Sequence, residues 1–165
     1  MNLLIIKKIF SLIVVILLFG NIYCQSPSMQ ETEKFIEQSL EDYSWTEGPS
    51  INYVDFENVN GEKIMKIHNR WKILYYIDDY YEFNVKDLNN VFFEIKEGNI
   101  LVYFLFKQNK FAKCYNPGLN ETKKVNKFEL YLSESAKYDK IPERLKKAFE
   151  HYLFLVTGEK KSTAF

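Results

Sequence analysis

Two cysteines, two histidines, four prolines and six glycines among 165 residues leave little material for several kinds of chemistry. The histidines, His68 and His151, stand far apart, and neither has a second His or a Cys at ligand spacing, so the pattern of a zinc site is missing. No run of glycines forms a phosphate-cradling loop. Ser133 and Ser135 lie in a polar stretch without the Gly-x-Ser-x-Gly frame of a nucleophile elbow. The 22 basic residues are matched by 22 acidic ones, which removes the cationic excess of a nucleic-acid binder. No internal repeat or low-complexity segment is present. The absences together point away from an enzyme, a cofactor and a metal.

One long hydrophobic run does occur, and it stands at the start. Lys7 and Lys8 precede an apolar stretch from Ile9 to Gly20 in which only Ser11 is polar, followed by Asn21-Ile-Tyr-Cys24. A positive n-region, a short apolar h-region and a small closing residue make residues 1–24 a secretory signal peptide, with cleavage after Cys24. Two other readings compete. A membrane anchor would need about 20 apolar residues, and residues 9–23 give fewer. Acylation of Cys24 would make a lipoprotein, although Tyr23 immediately before it suits that signal badly. The expected location is therefore periplasmic or secreted, with a lipid anchor through Cys24 as the alternative. Membrane contact enters only if Cys24 is lipidated or residues 9–23 remain uncleaved.

Cleavage would leave Cys114 alone and exclude an intramolecular disulfide. Cys114 sits in the strand-like run Lys110-Phe-Ala-Lys-Cys-Tyr115 and reads as a small buried hydrophobe. Removing Lys7 and Lys8 also turns the charge balance to about −2. The remaining chain is long enough to be held by its core alone.

After a short linker, residues 25–28, the pattern predicts one domain over residues 29–158 and a tail at 159–165. Ser28-Met-Gln-Glu31 has capping-box spacing, and Phe35, Ile36, Leu40 and Tyr43 follow at helical intervals, so a helix is expected from about Met29 to Tyr43. Gly48-Pro49 breaks the chain. From Ile51 the period becomes that of strands, with Asn60-Gly61 as a hairpin turn. Extended runs follow over Glu62–Asp78, with a bend at Asn69-Arg70 as one option, and over 80–85, 91–96, 100–107, 111–115 and 124–132. Residues 87–90 and 116–120 read as connections. Leu145, Ala148, Phe149, Tyr152, Leu153 and Val156 then mark an amphipathic helix, with Asp139 and Pro142 at its start and Gly158 at its end. The fold class is α+β: an N-terminal helix, an antiparallel meander of about seven strands closing into a small barrel, and a C-terminal amphipathic helix.

Two passages carry a resemblance. Tyr81-Glu-Phe-Asn-Val-Lys-Asp-Leu-Asn-Asn-Val91 resembles the polar step between strands of pleckstrin-homology-like domains, and Ile141-Pro-Glu-Arg-Leu-Lys-Lys-Ala-Phe-Glu-His-Tyr152 resembles their closing helix. Both are also similar to passages in small exported Bacteroidetes-type proteins that have no assigned function. The resemblance implies a pleckstrin-homology-like layout and no catalytic residues. Lipid head-group binding does not follow from it, because the first hairpin tip, Asn60-Gly-Glu62, carries only Lys63 nearby.

Two clusters are candidate sites. Lys66, His68, Arg70 and Lys72 alternate, and in one continuous strand they share a face suited to an anion or an acidic partner. The same alternation also describes an ordinary solvated sheet face. Tyr75, Tyr76, Tyr80 and Tyr81 surround Asp78-Asp79 as an aromatic rim that could stack a sugar or hold a cation, or simply border a turn. The function expected is an exported non-catalytic binding module for a small anionic molecule or a protein. A lipocalin-like carrier of an apolar ligand is the alternative, with a small hydrolase behind it. Phe92, Ile100, Val102, Phe104 and Phe106 decide between a filled and a hollow interior.

Overall fold

A computed structural model describes residues 26–44, 50–71, 78–96 and 98–159, with Ser50, Trp71 and Asp78 described in backbone only. The signal segment with Cys24, the break at Gly48-Pro49, and Lys72, Tyr75 and Tyr76 of the candidate clusters lie outside the described residues.

Helix α1 spans Met29–Asp42. Its start follows the expected capping box: Ser28 Oγ accepts from the Glu31 amide at 3.2 Å, and the Ser28 amide donates to the Glu31 carboxylate at 2.8 Å. That reciprocal pair satisfies two amides that the first helical turn leaves without partners. The exchange also holds the Glu31 carboxyl below its usual range, the backbone contact from Ser28 being the main cause. Ile36 and Leu40 turn inward and are fully buried.

Eight strands follow among the described residues: β1 (Ser50–Val59), β2 (Glu62–Trp71), β3 (Asp78–Asn84), β4 (Leu88–Lys96), β5 (Asn99–Phe106), β6 (Ala112–Asn116), β7 (Glu121–Val125) and β8 (Lys127–Leu132). A 3-10 turn, Val85–Asp87, joins β3 to β4. All pairings are antiparallel, but the strands do not form a simple meander. They divide into a five-stranded sheet of order β1-β2-β3-β6-β7 and a three-stranded sheet of order β4-β5-β8. Among the described residues no strand ladder joins the two, so the expected closed barrel is not found. What ties one corner is Ser44, whose backbone bridges Leu132 of β8 while its Oγ accepts from the Asn52 amide of β1 at 2.9 Å.

Several boundaries differ from those the sequence implies, while the first turn does not. Asn60 and Gly61 adopt φ of 54° and 80°, the positive values that a two-residue hairpin turn needs. The strand after that turn runs unbroken through Asn69 and Arg70, so the bend considered there is absent. Asp78 and Asp79 lie in β3 and not in a turn. Leu88, Asn89 and Asn90 belong to β4, with a register shift between Leu88 and Asn90. The run expected as one strand over 124–132 is two, interrupted at Asn126, and the chain changes sheets there. The Asn126 carbonyl accepts from the Phe106 amide at 3.1 Å, which seats the crossover.

Short helix α2 (Ser135–Tyr138) precedes α3 (Ile141–Thr157). Pro142 stands in the first turn of α3 and Gly158, at φ 73°, closes it, as the sequence implies. Asp139 does not cap α3; its carboxylate accepts from the Tyr43 hydroxyl at 2.6 Å and fastens α1 to the start of the last helix.

The interior between the sheets is filled with rings. Phe128 stacks on Phe104 at 4.6 Å and on Tyr81 at 4.1 Å between centroids, and Phe83 meets Phe106 edge-on at 5.1 Å. Phe149 of α3 closes the cluster edge-on to Phe104 at 5.6 Å. Of the five residues expected inside, Ile100, Val102, Phe104 and Phe106 are buried. Phe92 is half-buried and stacks on Tyr103 at 4.6 Å, because its position in β4 alternates away from the core side of Val91.

Candidate functional site

The two-residue turn at Asn60-Gly61 sets the register of β1 on β2, and the rest of the large sheet adds to it row by row. Tyr53 stands opposite His68, His68 opposite Tyr80, and Tyr80 opposite Tyr115. Directly opposite residues share a face of an antiparallel sheet. The outer face therefore carries one row of four rings across β1, β2, β3 and β6. His68 lies 6.0 Å from Tyr53 and 6.0 Å from Tyr80, centroid to centroid. Arg70 places its guanidinium 5.7 Å from the Tyr53 ring, within the range of a cation–π contact. Tyr53 and Tyr115 are 45% and 38% exposed, so the ends of the row face water.

Beside the rings runs a row of charge: Asp55, Lys66, Glu82, Lys113 and Lys124 are successive cross-strand partners. Lys66 donates to Glu57 at 2.5 Å, a contact that pushes the Lys66 ammonium above its ordinary range. Lys113 donates to Glu82 at 3.1 Å. A shallow hollow of about 230 Å3 lies between the rows, lined by Tyr53, Asp55, Glu57, Lys66, His68 and Tyr80.

The structure brings Lys66, His68 and Arg70 together on one face, on a continuous strand. Their surroundings differ from a plain cationic array, since Lys66 is ion-paired and Asp55 and Glu82 flank it in register. The tyrosine rim does not hold together in the same way. Tyr80 and Tyr81 are adjacent in β3 and face opposite sides of the sheet. Tyr81 is a core residue stacked on Phe128, and burial pushes its phenol far above the ordinary range. Tyr80 joins the outer row instead. The ring partners that complete that row, Tyr53 and Tyr115, were not singled out in the sequence.

His151 donates from Nε2 to the Pro27 carbonyl at 2.8 Å, holding the chain that enters α1 against α3. The groove beside it, about 860 Å3, is lined by Ser28, Glu31, Phe35, Arg144 and Lys147 among others, and Arg144 lies 4.9 Å from the Phe35 ring. Cys114 is buried in β6, and burial raises its thiol above the usual range, as expected of a packed and unreactive cysteine. Among the described residues no three His, Cys, Asp or Glu side chains cluster as metal ligands. No described helix is long and apolar enough to cross a membrane.

In class the chain is an α+β domain of two antiparallel sheets with a row of rings on the outer face of the larger one. No protein-family model, curated protein or solved structure matches it.

Proposed function

We propose that this protein is an exported, non-catalytic interaction module that docks a protein partner on the outer face of its five-stranded sheet. The observation that carries the reading is the row Tyr53–His68–Tyr80–Tyr115 with Arg70 at its edge. Tyr and Arg contribute disproportionately to protein interfaces, because they combine large contact area with few rotatable bonds and a polar tip. The neighbouring charged row alternates in sign from Asp55 to Lys113, which suits a complementary protein surface better than a simple anion. Export rests on residues 1–24 of the sequence. The two antiparallel sheets with α3 packed on them support a pleckstrin-homology-like layout only in element order, since the sheet order departs from a meander. The filled ring cluster around Phe104 weighs against the carrier of an apolar ligand.

Photo-crosslinking in the exported fraction of the native host tests this reading. A crosslinker placed at position 115 is expected to give one discrete adduct, and one at the more exposed Tyr138 of α2 none. Tyr53→Ser with Arg70→Gln should reduce the position-115 adduct at least tenfold, with Tm unchanged within about 2 °C. Equal labelling from both positions, or an adduct indifferent to the double substitution, rejects the docking face.

A further inference from the structure

The inner face of the same sheet changes character along its strands. Two inward rows are largely apolar: Phe56, Met65, Phe83, Ala112 and Val125, then Val54, Ile67, Tyr81 and Cys114, the second ending on the exposed Lys123 at the sheet edge. Two residues further along each strand, register places Asn52 opposite Asn69, Asn69 opposite Asp79, and Asn116 opposite Glu121. Asp79 and Asn116 meet through their side chains, Asn116 Nδ2 donating to Asp79 Oδ1 at 2.9 Å. Every side chain in this third row carries a hard oxygen.

Two of those oxygens are deeply buried and have no partner. Asn52 is 0% and Asn69 3% exposed, and the Oδ1 atom of each lacks any hydrogen-bond donor. The other arm of the Asn52 amide is used, with Nδ2 donating at 3.4 Å to the carbonyls of Leu40 and Tyr131. Because the Asn52 amide N–H points outward to Ser44 Oγ, Asn52 and Asn69 form a non-hydrogen-bonded pair, the closer of the two antiparallel spacings. Leaving a buried acceptor unmet costs about 1–3 kcal/mol, so two adjacent ones call for a shared electropositive partner. Asp79 next to them is half-buried, and among the described residues no lysine or arginine is ion-paired with it. Exposure rises from Asn69 through Asp79 and Asn116 to the open Glu121, so the row leads from the buried amides to solvent.

We infer that Asn52 Oδ1, Asn69 Oδ1 and the Asp79 carboxylate form a site for a hard divalent cation, of which calcium is the best match. Calcium takes six to eight oxygen ligands in flexible geometry and accepts amide oxygens and waters beside a carboxylate. Magnesium keeps its own waters more firmly and demands stricter geometry, so it binds more weakly here. Asn116 orients Asp79 as an outer partner. A single carboxylate sets a Kd of about 0.1–1 mM, the range of extracellular calcium modules.

The full-length protein, freed of metal by chelation, provides the test. Calcium at a tenfold excess over Kd is expected to raise Tm by about 3–6 °C, with magnesium giving less. Terbium should bind in its place and luminesce on tyrosine excitation, Tyr81 lying one row away. Asp79→Asn, which keeps the shape of the side chain, should abolish both responses. Asn69→Asp should tighten calcium binding about tenfold by adding a second carboxylate, a gain that no loss of folding can imitate. Absence of a calcium response in the wild type, an unaltered response in Asp79→Asn, or no gain in Asn69→Asp overturns the site and leaves a trapped water as the partner of the two amides.

Discussion

Strand β5 of the small sheet and strand β2 of the large one back onto the same core, yet they meet the surroundings differently. In β5, Ile100, Leu101, Val102, Phe104 and Phe106 are all buried, three of them consecutive, so both sides of the strand are covered for part of its length. In β2, Met65, Ile67 and Asn69 point inward while Lys66, His68 and Arg70 form the outer face. The small sheet with α3 supplies packing. The large sheet has one face left over, and even its inner face turns polar at Asn69. Polar and charged side chains collect on the face that burial leaves open.

Substitutions should separate the two sheets by size of effect. Phe104→Ala removes the ring that touches Phe83, Phe128 and Phe149, and should cost about 3–5 kcal/mol, read as a fall in the urea midpoint. Tyr115→Ala on the outer row should stay within about 0.5 kcal/mol. Equal losses would erase the distinction between a packing sheet and a presenting one.

A smaller effect sits where α3 meets α1. The Tyr152 hydroxyl donates to Glu33 at 2.6 Å, and Lys63 of β2 donates to the same carboxylate at 2.8 Å. Tyr152→Phe should cost about 1.5–3 kcal/mol, the range for a hydrogen bond to a charged group. Burial, with Glu33 as a second cause, raises the Tyr152 phenol above its ordinary pKa. A group whose pKa is raised by folding contributes stability that is intact below its unfolded value and is lost above it. The alkaline limb should therefore begin above about pH 10, and Tyr152→Phe should make that limb shallower. A limb unchanged in the variant would place the effect on the other phenols that folding raises, Tyr81 and Tyr103 among them.

A smaller loss, still above that of Tyr115→Ala, belongs to the hairpin. Gly61 at φ 80° has open space around its Cβ position, so Gly61→Ala meets backbone strain and no clash. A loss of about 1 kcal/mol in the same urea titration is expected. No loss would mean that the turn relaxes to another type, and the register of Tyr53 on His68 should then shift with it.

Much of this was open to reading in one dimension. The Ser28–Glu31 capping box, the Asn60-Gly61 turn, the stripe from Leu145 to Val156 and the stop at Gly158 are local signals, and each appears where its chemistry places it. The register of β1 on β2 was also legible in principle, since a two-residue turn forces Tyr53 opposite His68. The third row, from Asn52 to Glu121, and the arrival of Tyr115 beside Tyr80 were not. β3 and β6 are separated by the whole β4–β5 hairpin, and no local pattern states that the chain returns to the large sheet. The break at Asn126 was hidden for a similar reason: Lys124 to Leu132 keeps a strand-like composition while its halves pair with different neighbours.

By itself the sequence determined the α+β class, the two end helices, the first hairpin and the residues available to the core, because these follow from caps, turn geometry and periodicity over a few residues. Only the tertiary structure decided that the described strands form two sheets with no ladder between them, that Tyr80 faces out while Tyr81 joins the core, and that Asn52 and Asn69 share a row with Asp79. Those outcomes depend on which distant strands pair, and strand pairing is settled by burial across the whole domain.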